Sequence, residues 1–121
     1  MERVQIVNHH GKEIVLVDLS NCQPDETSLK ILPEAAKVIR KGAEKSKLVL
    51  TDVSNATYNK QVADAIKDFT SNNTPYVKAS AVVGADGVRL VLLQTVIFIT
   101  RRELKACATR QEALDWLASK T

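Results

Sequence analysis

Two short apolar runs that stop at the same four-residue pattern constrain this chain more than any other feature. Ile14-Val-Leu-Val-Asp18-Leu-Ser-Asn21 and Leu48-Val-Leu-Thr-Asp52-Val-Ser-Asn55 both read as β-branched-rich strands closed by Asp-x-Ser-Asn. Asp, Ser and Asn there suit turns in which a short polar side chain bonds local backbone. A duplicated fold element explains the pair equally well. Around these runs the pattern alternates between the two-residue and the 3.6-residue period. Val4 to Val7 and Ile14 to Val17, separated by the polar stretch Asn8-His9-His10-Gly11-Lys12, predict an antiparallel hairpin whose glycine takes positive φ. Pro24 can open a helix carrying Leu32, Ala36, Ile39 and Ala43 on one face. Pro33 inside it predicts a break or a fresh start, and the helix is expected to end between Gly42 and Lys47.

Downstream, Lys47 to Val53 predicts a buried strand. Asn59 then caps a helix with Val62, Ile66 and Phe69 on its inner face, closed by Ser71-Asn-Asn-Thr-Pro75. Tyr76 to Val83 is the next strand, followed by Gly84-Ala-Asp86-Gly87 and an apolar helix from near Val88 to Thr100. Leu104 to Ala108 is a last short strand. Thr109-Arg-Gln-Glu112 matches a capping box opening a helix with Ala113, Trp116 and Leu117 inward. The order β-β-α-β-α-β-α-β-α predicts an α/β fold with a mixed, mostly parallel sheet flanked by helices on both faces. The 121 residues fit a single domain, 1–121, with no linker or low-complexity tract.

Composition narrows the function classes. Seventeen Lys and Arg against 14 Asp and Glu give a net charge of +3, spread along the chain, and aromatic residues make up 4%. That is neither the basic stripe of a phosphate-backbone binder nor a stacking platform, so no nucleic acid is expected. The basic residues Arg40, Lys41, Lys45 and Lys47 suit the negative end of a helix dipole. Cys22 and Cys107 lie far apart without metal or redox spacing, and read as reduced, semi-buried residues of a cytoplasmic protein. The N-terminus has no basic region leading into a long apolar core, so no secretory signal is expected. Val88 to Thr100 is thirteen residues long and includes Arg89, Gln94 and Thr95; a bilayer span needs about 20 apolar residues.

Four places carry candidate chemistry. Asp18 and Asp52 should end neighbouring strands at the carboxyl edge of the sheet, where open α/β folds place ligand crevices. A carboxylate pair there suits general acid–base work or a cation, whereas bonds to the local turn make it structural. His9 and His10 are adjacent, so in an extended chain they point to opposite sides, and no metal site is expected. The Gly84 to Gly87 turn, with Asp86, joins a strand to a helix N-terminus and is a candidate mouth for an anion or polar head group, although it lacks a phosphate-loop signature. In the Val88 to Thr100 helix nine of thirteen residues are apolar and surround most of its circumference. Leu90, Leu93 and Ile97 therefore face a second subunit, an apolar ligand or a larger core.

Several strings resemble the SpoIIAA-like family of STAS domains (sulfate transporter and anti-sigma factor antagonist), a group also classed with Sec14-type lipid-binding folds. They are Gly11-Lys-Glu-Ile-Val-Leu-Val-Asp18, Leu48-Val-Leu-Thr-Asp52-Val, Pro75-Tyr-Val-Lys-Ala-Ser-Ala-Val-Val-Gly84 and Glu112-Ala-Leu-Asp-Trp-Leu117, which together span nearly the whole chain. The resemblance implies a small bacterial regulatory domain that binds a protein partner. In anti-sigma antagonists a strand ending in Asp-Leu-Ser leads to Asp-Ser-Ser-Gly, where one serine is phosphorylated. This chain reads Asp52-Val-Ser-Asn-Ala-Thr-Tyr-Asn59-Lys-Gln, with Asn59, Lys60 and Gln61 near the phosphoacceptor's place and Ser54 and Thr57 off the matching position. The expectation is a non-catalytic interaction module without a cofactor, probing its partner with Asp52, Asn55, Thr57, Tyr58, Asn59 and Lys60 and assembling as a homo-oligomer. The alternative is a carrier or sensor of a small apolar, lipid-like or anionic ligand, and a small hydrolase built on Asp18 and Asp52 is the third class.

Overall fold

The structure is a computed structural model that describes residues 3–21, 26–41, 47–55, 60–84 and 104–120. Its elements are β1 (Val4–His9), β2 (Lys12–Asp18), α1 (Glu26–Ile39), β3 (Lys47–Asp52), α2 (Lys60–Asn73), a 3-10 turn (Thr74–Tyr76), β4 (Val77–Val83), β5 (Leu104–Cys107) and α3 (Arg110–Ala118). The five strands form one sheet in the order β1-β2-β3-β4-β5. β1 runs antiparallel to β2, and the other three pairings are parallel. This is the mixed α/β sheet that the alternation predicts. The expected apolar helix, with Leu90, Leu93 and Ile97, lies outside the described residues, as do Asp86, Gly87 and Cys22.

Strands β2, β3 and β4 divide their side chains between two cores, as the two-residue period requires. Val15, Val17 and Val49 turn to one face and pack with Ile31, Leu32, Ala35 and Ile39 of α1, with Ile66 and Phe69 of α2 against them. Ile14, Leu48, Leu50, Ala79 and Ala81 turn to the other face and meet Ala113 and Leu117 of α3. The parity breaks once. Val77 belongs to the first core and Ala79 to the second although they are two residues apart, because the register jumps from Lys47↔Val77 to Leu48↔Ala79. Lys78 is the extra residue of a β-bulge.

Two boundaries differ from expectation for physical reasons. Helix α1 runs unbroken through Pro33. Pro33 is exposed, and Ile31, Leu32, Ala35 and Ala36 are buried on either side of it. Tertiary packing thus holds the helix across a residue that removes one internal hydrogen bond. The hairpin strands also extend further than expected, to His9↔Lys12, leaving His10 and Gly11 as a two-residue turn with φ of 51° and 78°. Those paired positive φ values are the type I′ pattern, whose twist matches that of the flanking strands.

Candidate functional site

The parallel register sets Asp18 directly beside Asp52 at the carboxyl ends of β2 and β3. Both aspartates are buried. The two strand ends are built alike. The Ser20 amide and hydroxyl donate to Asp18 Oδ1, and the Ser54 amide donates to Asp52 Oδ1 at 2.9 Å. Asn21 and Asn55 then take left-handed φ of 60° and 59°, which asparagine tolerates well. Beyond the regular pairing, Leu19 N–H donates to the Asp52 carbonyl and Val53 N–H to the Val83 carbonyl. The repeated Asp-x-Ser-Asn is therefore turn chemistry used twice at adjacent positions.

Two arginines compensate the two carboxylates. Arg110 opens α3 and reaches both, with Nε 2.6 Å from Asp52 Oδ2 and a terminal nitrogen 3.4 Å from Asp18 Oδ1. Arg3 lies 3.6 Å from Asp18 Oδ1 and donates to the Ser20 carbonyl at 2.8 Å. Burial alone would raise the Asp52 carboxyl, but the hydrogen bonds from Ser54 and the Arg110 guanidinium outweigh it and hold Asp52 below the ordinary carboxylate range. The same contact, chiefly the hydrogen bond to Asp52, raises Arg110 above its usual value. The arrangement is a neutral four-charge network. Neither arginine stands out in the sequence, where Arg110 reads only as part of a capping box. The available signal is topological: a helix that follows a parallel strand begins at the sheet's carboxyl edge, and two carboxylates buried there require cations.

The other expected site residues fall partly within this edge. Gly84 ends β4 with φ +84°, and a Cβ there would lie 2.5 Å from Ser54 Oγ and 2.6 Å from Ser54 Cα. Gly84 thus serves the close packing of two strand ends. Asn55 is exposed beyond Asp52, and exposed Lys60 is the first residue of α2. Thr57, Tyr58 and Asn59 lie outside the described residues. The capping box is present in a shifted form, for Thr109 Oγ1 accepts from the Glu112 amide at 3.1 Å while the Glu112 carboxylate accepts from the Ala108 amide. Cys107 is buried, and burial together with nearby Glu112 pushes its thiol up against the opposing effect of Lys105. Elsewhere an open groove of about 720 Å³ runs between α1 and α2, lined by Leu32, Ala36, Arg40, Ala65 and Phe69 among others. It lies between two helices and is open, unlike the enclosed space between sheet and helices that a carrier would offer.

The expected divergence of His9 and His10 is not met. Left-handed His10 swings back, so the two rings lie 4.2 Å apart between centroids, and both Nε2 atoms approach Asp115 Oδ1 of α3. The alternation argument fails because His10 has left the strand. Among the described residues no helix is long and apolar enough to cross a membrane.

No family model and no curated protein matches the sequence. Solved structures do match. An uncharacterised protein of the DUF3478 family with a SpoIIAA-like fold, from Shewanella loihica PV-4, is 15% identical with a TM-score of 0.75, covering 94% of this chain and 91% of its own. An anti-sigma-factor antagonist (STAS) domain protein from Planctomyces limnophilus is 12% identical with a TM-score of 0.62, covering 95% of this chain and 97% of its own. With its antiparallel hairpin and its parallel strands in one five-stranded sheet flanked by helices, the chain has the SpoIIAA-like fold of STAS domains.

Proposed function

We propose that this chain is a non-catalytic, cytoplasmic regulatory module that binds a protein partner through the carboxyl edge of its sheet, with Asn55 and Lys60 among the contact residues. The observation that carries the reading is the likeness to an anti-sigma-factor antagonist domain over 95% of the chain. The local chemistry supports it. Asp18 and Asp52 are tied to arginines and to their own turns, an arrangement suited to holding a loop in shape and poorly suited to exchanging protons with a substrate. Thr57, Tyr58 and Asn59, which follow Asn55 in the sequence, are further proposed contact residues, and without a serine at the matching position binding is not gated by the phosphorylation of the family pattern. Leu90, Leu93 and Ile97 are the proposed self-association face.

Native mass spectrometry of the chain purified gently from its own host tests this. The expected spectrum shows a multiple of 13.3 kDa and a stoichiometric protein partner that is lost in an Asn55→Arg, Lys60→Glu variant. An added mass of a few hundred daltons, released on denaturation and unaffected by that variant, would replace this reading with a carrier of a small apolar or anionic ligand.

A further inference from the structure

The end of the β1–β2 hairpin and the middle of α3 bring together three side chains from opposite ends of the sequence. His9 Nε2 lies 2.7 Å from Asp115 Oδ1, and His10 Nε2 lies 3.6 Å from the same oxygen. One ligand atom from each of the three residues falls within 4.8 Å of those of the other two. The type I′ turn makes this possible, since φ of 51° at His10 carries its ring back beside that of His9. Gln111, one helical turn before Asp115, donates to the same carboxylate oxygen at 3.0 Å and steadies it.

These distances are close to what a metal ion requires. Bonds of about 2.1 Å in tetrahedral geometry place neighbouring donors roughly 3.4 Å apart. The His10 to Asp115 separation already suits that edge. The His9 contact is a hydrogen bond, and it needs to widen by less than about 1 Å when an ion replaces the shared proton. Two imidazoles and one carboxylate form a donor set for zinc, cobalt, nickel or copper, and not for calcium or magnesium, which take oxygen ligands. The His9 side chain is only 18% exposed, whereas His10 and Asp115 are 69% and 54% exposed, so the site is firmly seated on one side and open to a fourth ligand on the other.

We propose that His9, His10 and Asp115 form a surface site for a divalent transition-metal ion of the zinc class, joining the β1–β2 turn to α3. The site stands at the hairpin end of β2, the opposite end from Asp18, and it does not depend on the proposed partner-binding edge.

The test is calorimetric titration of zinc sulfate into the full, tag-free chain after chelator treatment, with a phosphine reductant keeping the thiols reduced. One zinc per chain is expected, with affinity at least tenfold lower in Asp115→Asn and lost in a His9→Gln, His10→Asn double variant. Asparagine at position 10 keeps a residue that accepts left-handed φ. Should the double variant fail to fold, imidazole nitrogen NMR of the unaltered chain replaces it, with zinc expected to shift both Nε2 resonances. The absence of zinc binding, undiminished affinity in the folded double variant, or zinc bound with both imidazoles unshifted would each overturn the site.

Discussion

Replacing Arg110 with Met keeps the aliphatic stem and removes the cation that bridges Asp18 and Asp52. Removing one partner of a fully buried ion pair costs about 3–5 kcal/mol, whereas exposed pairs contribute roughly 0–1 kcal/mol. The two aspartate side chains are only 6% and 7% exposed but Arg110 is 43% exposed, so solvent screens part of the interaction and the cost lies between these limits, near ~2.5 kcal/mol. Two effects soften it. Arg110 is the first residue of α3, where a cation opposes the helix dipole, and its removal relieves about 0.5 kcal/mol. Arg3 and the amides of Ser20 and Ser54 remain in place. The net loss is about 2 kcal/mol, which for a domain of this size lowers Tm by about 8 °C at pH 7. The pH profile carries the sharper signature. Asp52 titrates below its unfolded value, so its contribution is fully present above about pH 4 and is lost as pH falls through the folded value. The deficit of Arg110→Met should therefore shrink as pH falls through the folded Asp52 value. Thermal melts followed by circular dichroism from about pH 2 to pH 8 measure both quantities. A variant that melts with the parent at pH 7, or a deficit that stays as large at the acid end of that range, would refute the account of the network.

Two other substitutions probe the edge and its helix. Gly84→Ala combines φ +84° with a Cβ 2.6 Å from the Ser54 backbone, and should cost about 3 kcal/mol by urea denaturation; an unchanged midpoint would show that the β4 end does not press on the β3 turn. Thr109→Ala removes the acceptor of the Glu112 amide and should cost about 1 kcal/mol, with faster hydrogen exchange confined to the first turn of α3; unaltered exchange there would remove the cap from the argument.

How far the sequence could be read depends on the range of the interaction involved. The ends of β2 and β3 were legible because turn chemistry is local: Asp, Ser and Asn act within four residues, and each makes the bonds its position implies. The Thr109 cap was legible for the same reason. Pro33 misled because the local penalty of proline is set against buried neighbours whose partners lie on β2 and β3. The bulge at Lys78 left no trace, since Val77 and Ala79 are both apolar and either register buries them. His9 and His10 misled through a rule that holds only inside a strand, and the turn that breaks it begins at His10 itself. Arg110 went unrecognised as a site residue because its partners are 58 and 92 residues away in sequence. Recognising it requires the register that sets Asp18 beside Asp52 and the topology that starts α3 above them.

The contrast between the two charged clusters bears on what the chain does. At the carboxyl edge Arg110 and Arg3 meet Asp18 and Asp52, and both aspartates also accept from their own turns. A carboxylate held in that way is a brace, and what it braces is the turn Val53 to Asn55. Ser54 is fixed through its amide by Asp52, through its carbonyl by the Asn21 amide at 2.9 Å, and by the close approach of Gly84. A turn anchored on three sides before it meets a partner loses less conformational freedom on binding, so its contacts contribute more fully to affinity. That rigidity is what the proposed partner-binding reading requires of the edge. It also predicts that loosening the brace, as in Arg110→Met, weakens partner binding through the ordering of Asn55 without removing a single contact residue.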